Sequence, residues 1–134
     1  MPALGARTAL IARVLEEKRA LHPEMARPLT WNGLVAILRR ERIPLVRTAL
    51  VRTAACLTGG RVTVILVNSN VPPRRHTYFV AHELAHAWIH ADDEADPVFH
   101  IDLERADDVR EEEAELLATW LLGDESVRRY FQAV

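Results

Sequence analysis

The chain holds a single cysteine, Cys56, among its 134 residues, which excludes an internal disulfide framework. Cys56 stands between Ala55 and Leu57 in a stretch that reads as a strand, where a lone thiol serves as a small buried apolar group rather than a nucleophile. No apolar run approaches the roughly 20 residues of a membrane span, so no membrane association is expected. Residues 1–19 interleave Arg7, Arg13, Glu16, Glu17 and Lys18 with apolar residues and lack the unbroken apolar centre of a secretory signal. The expected location is therefore the cytoplasm. Aromatic residues make up only 6%, and the arginines of the N-terminal half are scattered rather than grouped with them, so direct nucleic-acid binding is not expected. No repeat or low-complexity tract is present. A hydrophobic content of 49% suffices for one core, and residues 1–134 are read as one domain.

The net charge of −2 hides an asymmetry. Residues 92–115 carry twelve Asp and Glu against Arg105 and Arg110, a net of −10, which leaves about +8 for the remainder. Such a run is either a solvated face or an acidic rim that attracts a basic protein segment.

Apolar spacing predicts a first helix over residues 3–21, ended by His22-Pro23, with 23–28 as a linker. Thr30 is a candidate N-cap for a second helix with an apolar face of Trp31, Leu34, Val35, Ile37 and Leu38, closed by the charged run 39–42 and stopped by Pro44. β-Branched runs at 45–48, 51–57 and 62–67 read as strands, the last two joined through Gly59-Gly60 as a hairpin. A third helix is expected at 75–91 and a short strand within 98–103. Asp107 or Asp108 caps a helix to Leu122, Gly123 stands at its C-terminal end, and Asp124 starts a last short helix. The class is α+β, with a small three-stranded, mainly antiparallel sheet.

Residues 82–86 of the third helix read His-Glu-Leu-Ala-His, with no Gly or Pro from 74 to 91. Positions four apart on an α-helix differ by about 40° and about 6 Å, so His82 and His86 project from one face and can chelate one Zn²⁺. Glu83, one residue round, leans toward the water such an ion would hold. A hydrolytic zinc site needs a third protein ligand. The downstream helix offers Glu111, Glu112, Glu113 and Glu115, of which Glu111 and Glu115 share the face that continues through Ala118 and Leu122 toward the core. Glu111 is assigned as the ligand, Glu115 as an acceptor for the free N–H of a ligating imidazole. Glu112 and Glu113 are expected to turn to solvent.

The strand ending in Val67-Asn68, the helix HTYFVAHELAHAWIH and the run Glu111-Glu112-Glu113-Ala114-Glu115-Leu116-Leu117-Ala118-Thr119-Trp120-Leu121-Leu122 resemble the ImmA/IrrE family of metallopeptidases. The likeness covers roughly residues 30–123, with 1–29 as an added helix and linker, and implies a zincin-like domain with the third ligand at Glu111. Glu115 departs from the family's usual Asn, Leu117 from Phe, and Gly123-Asp124 from a frequent Met-Pro.

The resemblance implies a zinc endopeptidase that cuts a helix-turn-helix, DNA-binding repressor, a stress-response or transcription-regulation role in which phage or mobile-element genes are released. Metal choice rests on donor type alone. The alternative is a non-catalytic regulatory or antitoxin-like module on the same metal-binding fold. Glu83 is the expected general base and then general acid. Tyr130, Tyr78, His76 and His100 are candidates for a second oxyanion donor, each with an ordinary structural reading beside it. His90 is read as a hydrogen-bonding histidine near the helix end, and Trp88 and Trp120 as core. A peptide substrate is expected to add along 62–67 if that strand is an exposed edge.

Overall fold

A computed structural model describes residues 7–51, 53–59, 62–90, 100–101 and 108–133. Helix α1 (Thr8–Leu21) buries Ile11, Val14 and Leu15 on one stripe, as the spacing predicts; the expected turn at residues 3–6 lies outside the described residues. The expected linker contains a 3₁₀ turn, Pro23–Ala26, which drives Met25 into the core. Thr30 caps α2 (Trp31–Arg40), its hydroxyl accepting from the Gly33 amide at 3.2 Å. Beyond the helix end Arg42 takes a positive φ of 59°, and the Ile43 amide returns to the Leu38 carbonyl at 2.9 Å. Pro44 then has no amide proton with which to continue the helix.

The sheet joins β1 (Leu45–Thr48), β2 (Ala54–Gly59), β3 (Val62–Asn68) and a two-residue β4 (His100–Ile101) in the order β1-β3-β2-β4. The hairpin pairs Ala54 with Val67 through Gly59 with Val62; β2 also pairs β4 antiparallel, while β1 runs parallel to β3. The α+β class and the three principal strands agree with the sequence reading, and β4 adds a short fourth. The exposed edge expected at 62–67 is corrected for its second half. From 65 to 67, β3 has β1 on one side and β2 on the other, so no peptide can add there, whereas 62 to 64 pair with β2 alone.

Ala54, Cys56, Ile65 and Val67 turn one face of the sheet toward the helices and are buried. Cys56 is thus a core residue, as expected. Against this face lies α3 (Pro73–His90), through Val80, Ala81, Leu84 and Ala85. Helix α4 (Asp108–Leu121) packs along α3 and also touches α1. Of the two cap candidates, Asp107 lies outside the described residues, as do 91–99 and 102–106 of the acidic stretch, and the Asp108 side chain is not described. Gly123 ends α4 with φ 98°, and a Cβ there would meet Pro28 Cγ at 2.7 Å. Asp124 opens α5 (Glu125–Ala133), accepting from the Val127 amide at 3.1 Å. Among the described residues no helix is long and apolar enough to cross a membrane.

Candidate metal centre

The spacing 82, 86, 90 puts three histidines on one stripe of α3, with successive ring centroids 4.9 and 5.1 Å apart. The neighbouring residues Ala81, Leu84 and Ala85 are fully buried and fix the rotation of the helix, so this stripe faces α4. Glu111 reaches across from α4 and lies between the first two rings. Its Oε1 is 3.0 Å from His82 Nε2 and its Oε2 is 3.0 Å from His86 Nε2. The ligand atoms of His82, His86 and Glu111 all fall within 4.8 Å of one another.

Four donors at about 2.1 Å around a tetrahedral ion are separated by about 3.4 Å, so the two 3.0 Å contacts open by a few tenths of an ångström and the widest separation, at most 4.8 Å, closes by about 1.4 Å to accept one. Two imidazole nitrogens and a carboxylate oxygen are also the donor chemistry of a hydrolytic zinc site. The residues present fit the ion.

The electrostatics agree. Burial disfavours a charge on His82, but its contacts with the Glu111 and Glu115 carboxylates outweigh it and raise its pKa to about 10. Burial likewise pushes Glu111 upward, and its contacts with His82 and His86 reverse this, leaving it well below the usual carboxylate range. The pair therefore holds positive charge against negative at the position where a cation would bind.

Glu115 stands beside His82. Its Oε1 is 3.3 Å from His82 Nδ1, a contact without good hydrogen-bond alignment, and it accepts the Tyr78 hydroxyl proton at 2.5 Å. Burial first, and then this carboxylate, raise the Tyr78 pKa. Tyr78 is the oxyanion-donor candidate that the fold brings to the centre, its ring centroid 6.1 Å from that of His82. His76 is buried with Nε2 2.7 Å from the Val71 carbonyl, which commits it to the loop before α3. Tyr130 is placed on α5 against Phe131, and the His100 side chain is not among those described. Glu83 is buried, 5% exposed, on the turn that carries His82. Trp120 is core, and the partly buried Trp88 donates its indole N–H to Glu41 at 2.9 Å.

Sequence reasoning misplaces Glu113. Expected in solvent, it is 0% exposed. Helix α4 is covered by α3 on one side and by α1 and the residue before it on another, so the face opposite Glu111 is not wet. Glu113 accepts from His90 Nε2 at 2.9 Å, and from the Arg7 amide, Nε and Nη2 at 2.8, 2.8 and 2.9 Å. Burial works against its charge, yet the Arg7 contacts dominate and hold it at about 2. His90, the expected hydrogen-bonding histidine, links onward, its Nδ1 lying 2.9 Å from His86 Nδ1. Desolvation lowers its pKa and favours the neutral ring. Nothing local in the sequence marks Glu113 as buried, and its partner Arg7 lies 106 residues away.

A family model described as Peptidase_M78, IrrE N-terminal-like domain, matches residues 39–130. That stretch runs from the end of α2 through the sheet, α3 and α4 into α5. No curated protein and no solved structure matches the chain.

Proposed function

Because the chain belongs to the IrrE N-terminal-like peptidase family, we propose that it is a zinc-dependent endopeptidase with His82, His86 and Glu111 as ligands and Glu83 as its proton carrier. The single observation behind this reading is the convergence of two imidazole nitrogens and one carboxylate within 4.8 Å on a helix pair whose α3 also carries a buried glutamate beside the first imidazole.

A bound divalent ion supplies Lewis acidity, polarising the scissile carbonyl and making water a competent nucleophile near neutral pH. The chain's own groups do the rest. A Glu83 carboxylate oxygen takes a proton from the attacking water and returns it to the departing amine nitrogen. Glu115 stands where it can orient the His82 ring through Nδ1.

The substrate we propose is a helix-turn-helix repressor, whose cleavage releases genes of stress, phage or mobile-element origin. A basic DNA-binding target complements the −10 of residues 92–115. A cytoplasmic site of action fits such a target. A module that merely held metal as a structural element would gain nothing from a carboxylate in the Glu83 position, which favours catalysis over the interaction-module reading.

Glu83→Gln tests the assignment. It keeps shape and removes the base, so cleavage of a basic repressor, followed by product mass, should fall by about 10²–10⁴-fold while zinc content and circular dichroism stay at the parent level. A variant that cuts as fast as the parent overturns the catalytic reading.

A further inference from the structure

Arg7, which precedes α1, lies outside the family-matched stretch, yet it touches a buried acid two residues along α4 from the proposed ligand Glu111. Its guanidinium grips Glu113 by both oxygens, Nε to Oε2 at 2.8 Å and Nη2 to Oε1 at 2.9 Å, and its backbone amide adds a third bond at 2.8 Å. This fork fixes where the carboxylate points.

Geometry carries the contact onward from Glu113. The Glu113 carboxylate can only accept, so His90 gives it the Nε2 proton across 2.9 Å. On the other side of the same ring, His90 Nδ1 lies 2.9 Å from His86 Nδ1, so a single proton lies between the two nitrogens. Held through Nδ1, the His86 ring turns its Nε2 toward the Glu111 carboxylate at 3.0 Å. The two histidine bonds are buried, with His90 at 3% and Glu113 at 0% exposure, so water does not compete for them, while the Arg7 side chain that anchors the row is 43% exposed.

We propose that Arg7 is a positioning residue of the metal centre, acting through Glu113 and His90 to hold the His86 ring with Nε2 toward Glu111. The N-terminal segment thus completes the centre from outside the matched region. The inference rests on His86 being a metal ligand. Orienting partners of a ligating imidazole contribute about 10- to 100-fold in metal affinity, and Arg7 stands two links further out, so an effect near the lower bound is expected.

The test uses the full chain with Arg7→Met, which keeps the aliphatic stem, and Arg7→Lys, which keeps a counter-charge for Glu113 and guards against loss of fold. Zinc affinity is measured by chelator competition, and the histidine ring protons are followed by NMR in the metal-free protein. Arg7→Met should bind zinc about 10-fold more weakly, and Arg7→Lys should recover part of that loss. In the parent, slowly exchanging low-field protons should be assigned to the Nδ1–Nδ1 bridge between His86 and His90 and to His90 Nε2, and in Arg7→Met they should broaden or vanish. The inference is overturned if Arg7→Met binds zinc within about two-fold of the parent and keeps both ring-proton signals. A parent that binds no zinc sinks the metal reading instead, while the ring protons of the metal-free protein still decide whether the relay exists.

Discussion

Glu111→Gln isolates the third ligand, because it preserves side-chain shape and removes the charge that both imidazoles share. In the parent, Glu111 is the group that makes a 3.0 Å contact with each Nε2. If substitution of mere orienting partners weakens a site by about 10- to 100-fold, loss of a ligating carboxylate should cost at least about 100-fold. Binding to the native state alone stabilises by RT ln(1 + [L]/Kd), so zinc at about 100 times the parental Kd adds about 2.7 kcal/mol to the parent and only about 0.4 kcal/mol to the variant.

A chain of 134 residues unfolds with an entropy of about 0.28 kcal/mol per kelvin at typical per-residue values, about 2.1 cal/mol/K each. The parent should therefore melt about 10 °C higher with zinc than without, and the variant about 1.5 °C higher. The comparison is of zinc-induced shifts, so any loss of stability in the metal-free variant cancels. Differential scanning calorimetry with and without zinc reads both numbers. A variant shifted as far as the parent would refute the claim that Glu111 completes the centre, whatever happens to activity.

Two further outcomes concern the scaffold. Gly123→Ala places a Cβ on a residue with φ 98° and 2.7 Å from Pro28 Cγ, so it should destabilise by more than about 1 kcal/mol and lower the melting point by about 4 °C or more; an unchanged melting curve refutes the strain argument. Acid should also loosen the junction of α1 and α2. The Arg40 hydrogen bonds hold Glu24 at about 2 against 4.5 unfolded, and Glu41 is lowered as well, its burial outweighed by bonds from His22, Trp88 and Lys18. Depressed carboxylates add stability that is complete above about 4.5 and is lost as pH falls toward 2. Urea midpoints should drop through that window, and less steeply in Glu24→Gln; identical pH profiles for the two proteins would contradict the assignment.

What the sequence discloses tracks the range of the interactions involved. Caps at Thr30, Gly123 and Asp124 are legible because each acts within a few residues of itself. The His82–His86 pair is legible because helical periodicity alone sets it. Glu111 lies on another helix, but a carboxylate facing inward announces a need for positive charge, and that need has few solutions. Strand order is not legible. Alternation of apolar residues marks 45–48 and 62–67 as strands and carries no information on which strand lies beside which, so nothing local announces that β1 pairs in parallel with β3 and covers its second half.

Glu113 shows the harder limit. Periodicity gives α4 one inward and one wet face, a sound reading for a helix with one neighbour. With α3 and α1 both packed on it, the polar face becomes an interior surface, and its acid finds His90 from one neighbour and Arg7 from the segment leading into the other. A buried charge whose partners are 23 and 106 residues away cannot be paired from sequence, because nothing local distinguishes Arg7 from the other basic side chains of the N-terminal half. The two carboxylates Glu111 and Glu113, two residues apart, consequently serve opposite sides of one helix: one meets the His82 and His86 nitrogens directly, the other reaches His86 from behind through His90. That arrangement constrains the His86 ring at both nitrogens, and it makes rigid packing of α4 between α3 and α1 a condition for the centre's geometry.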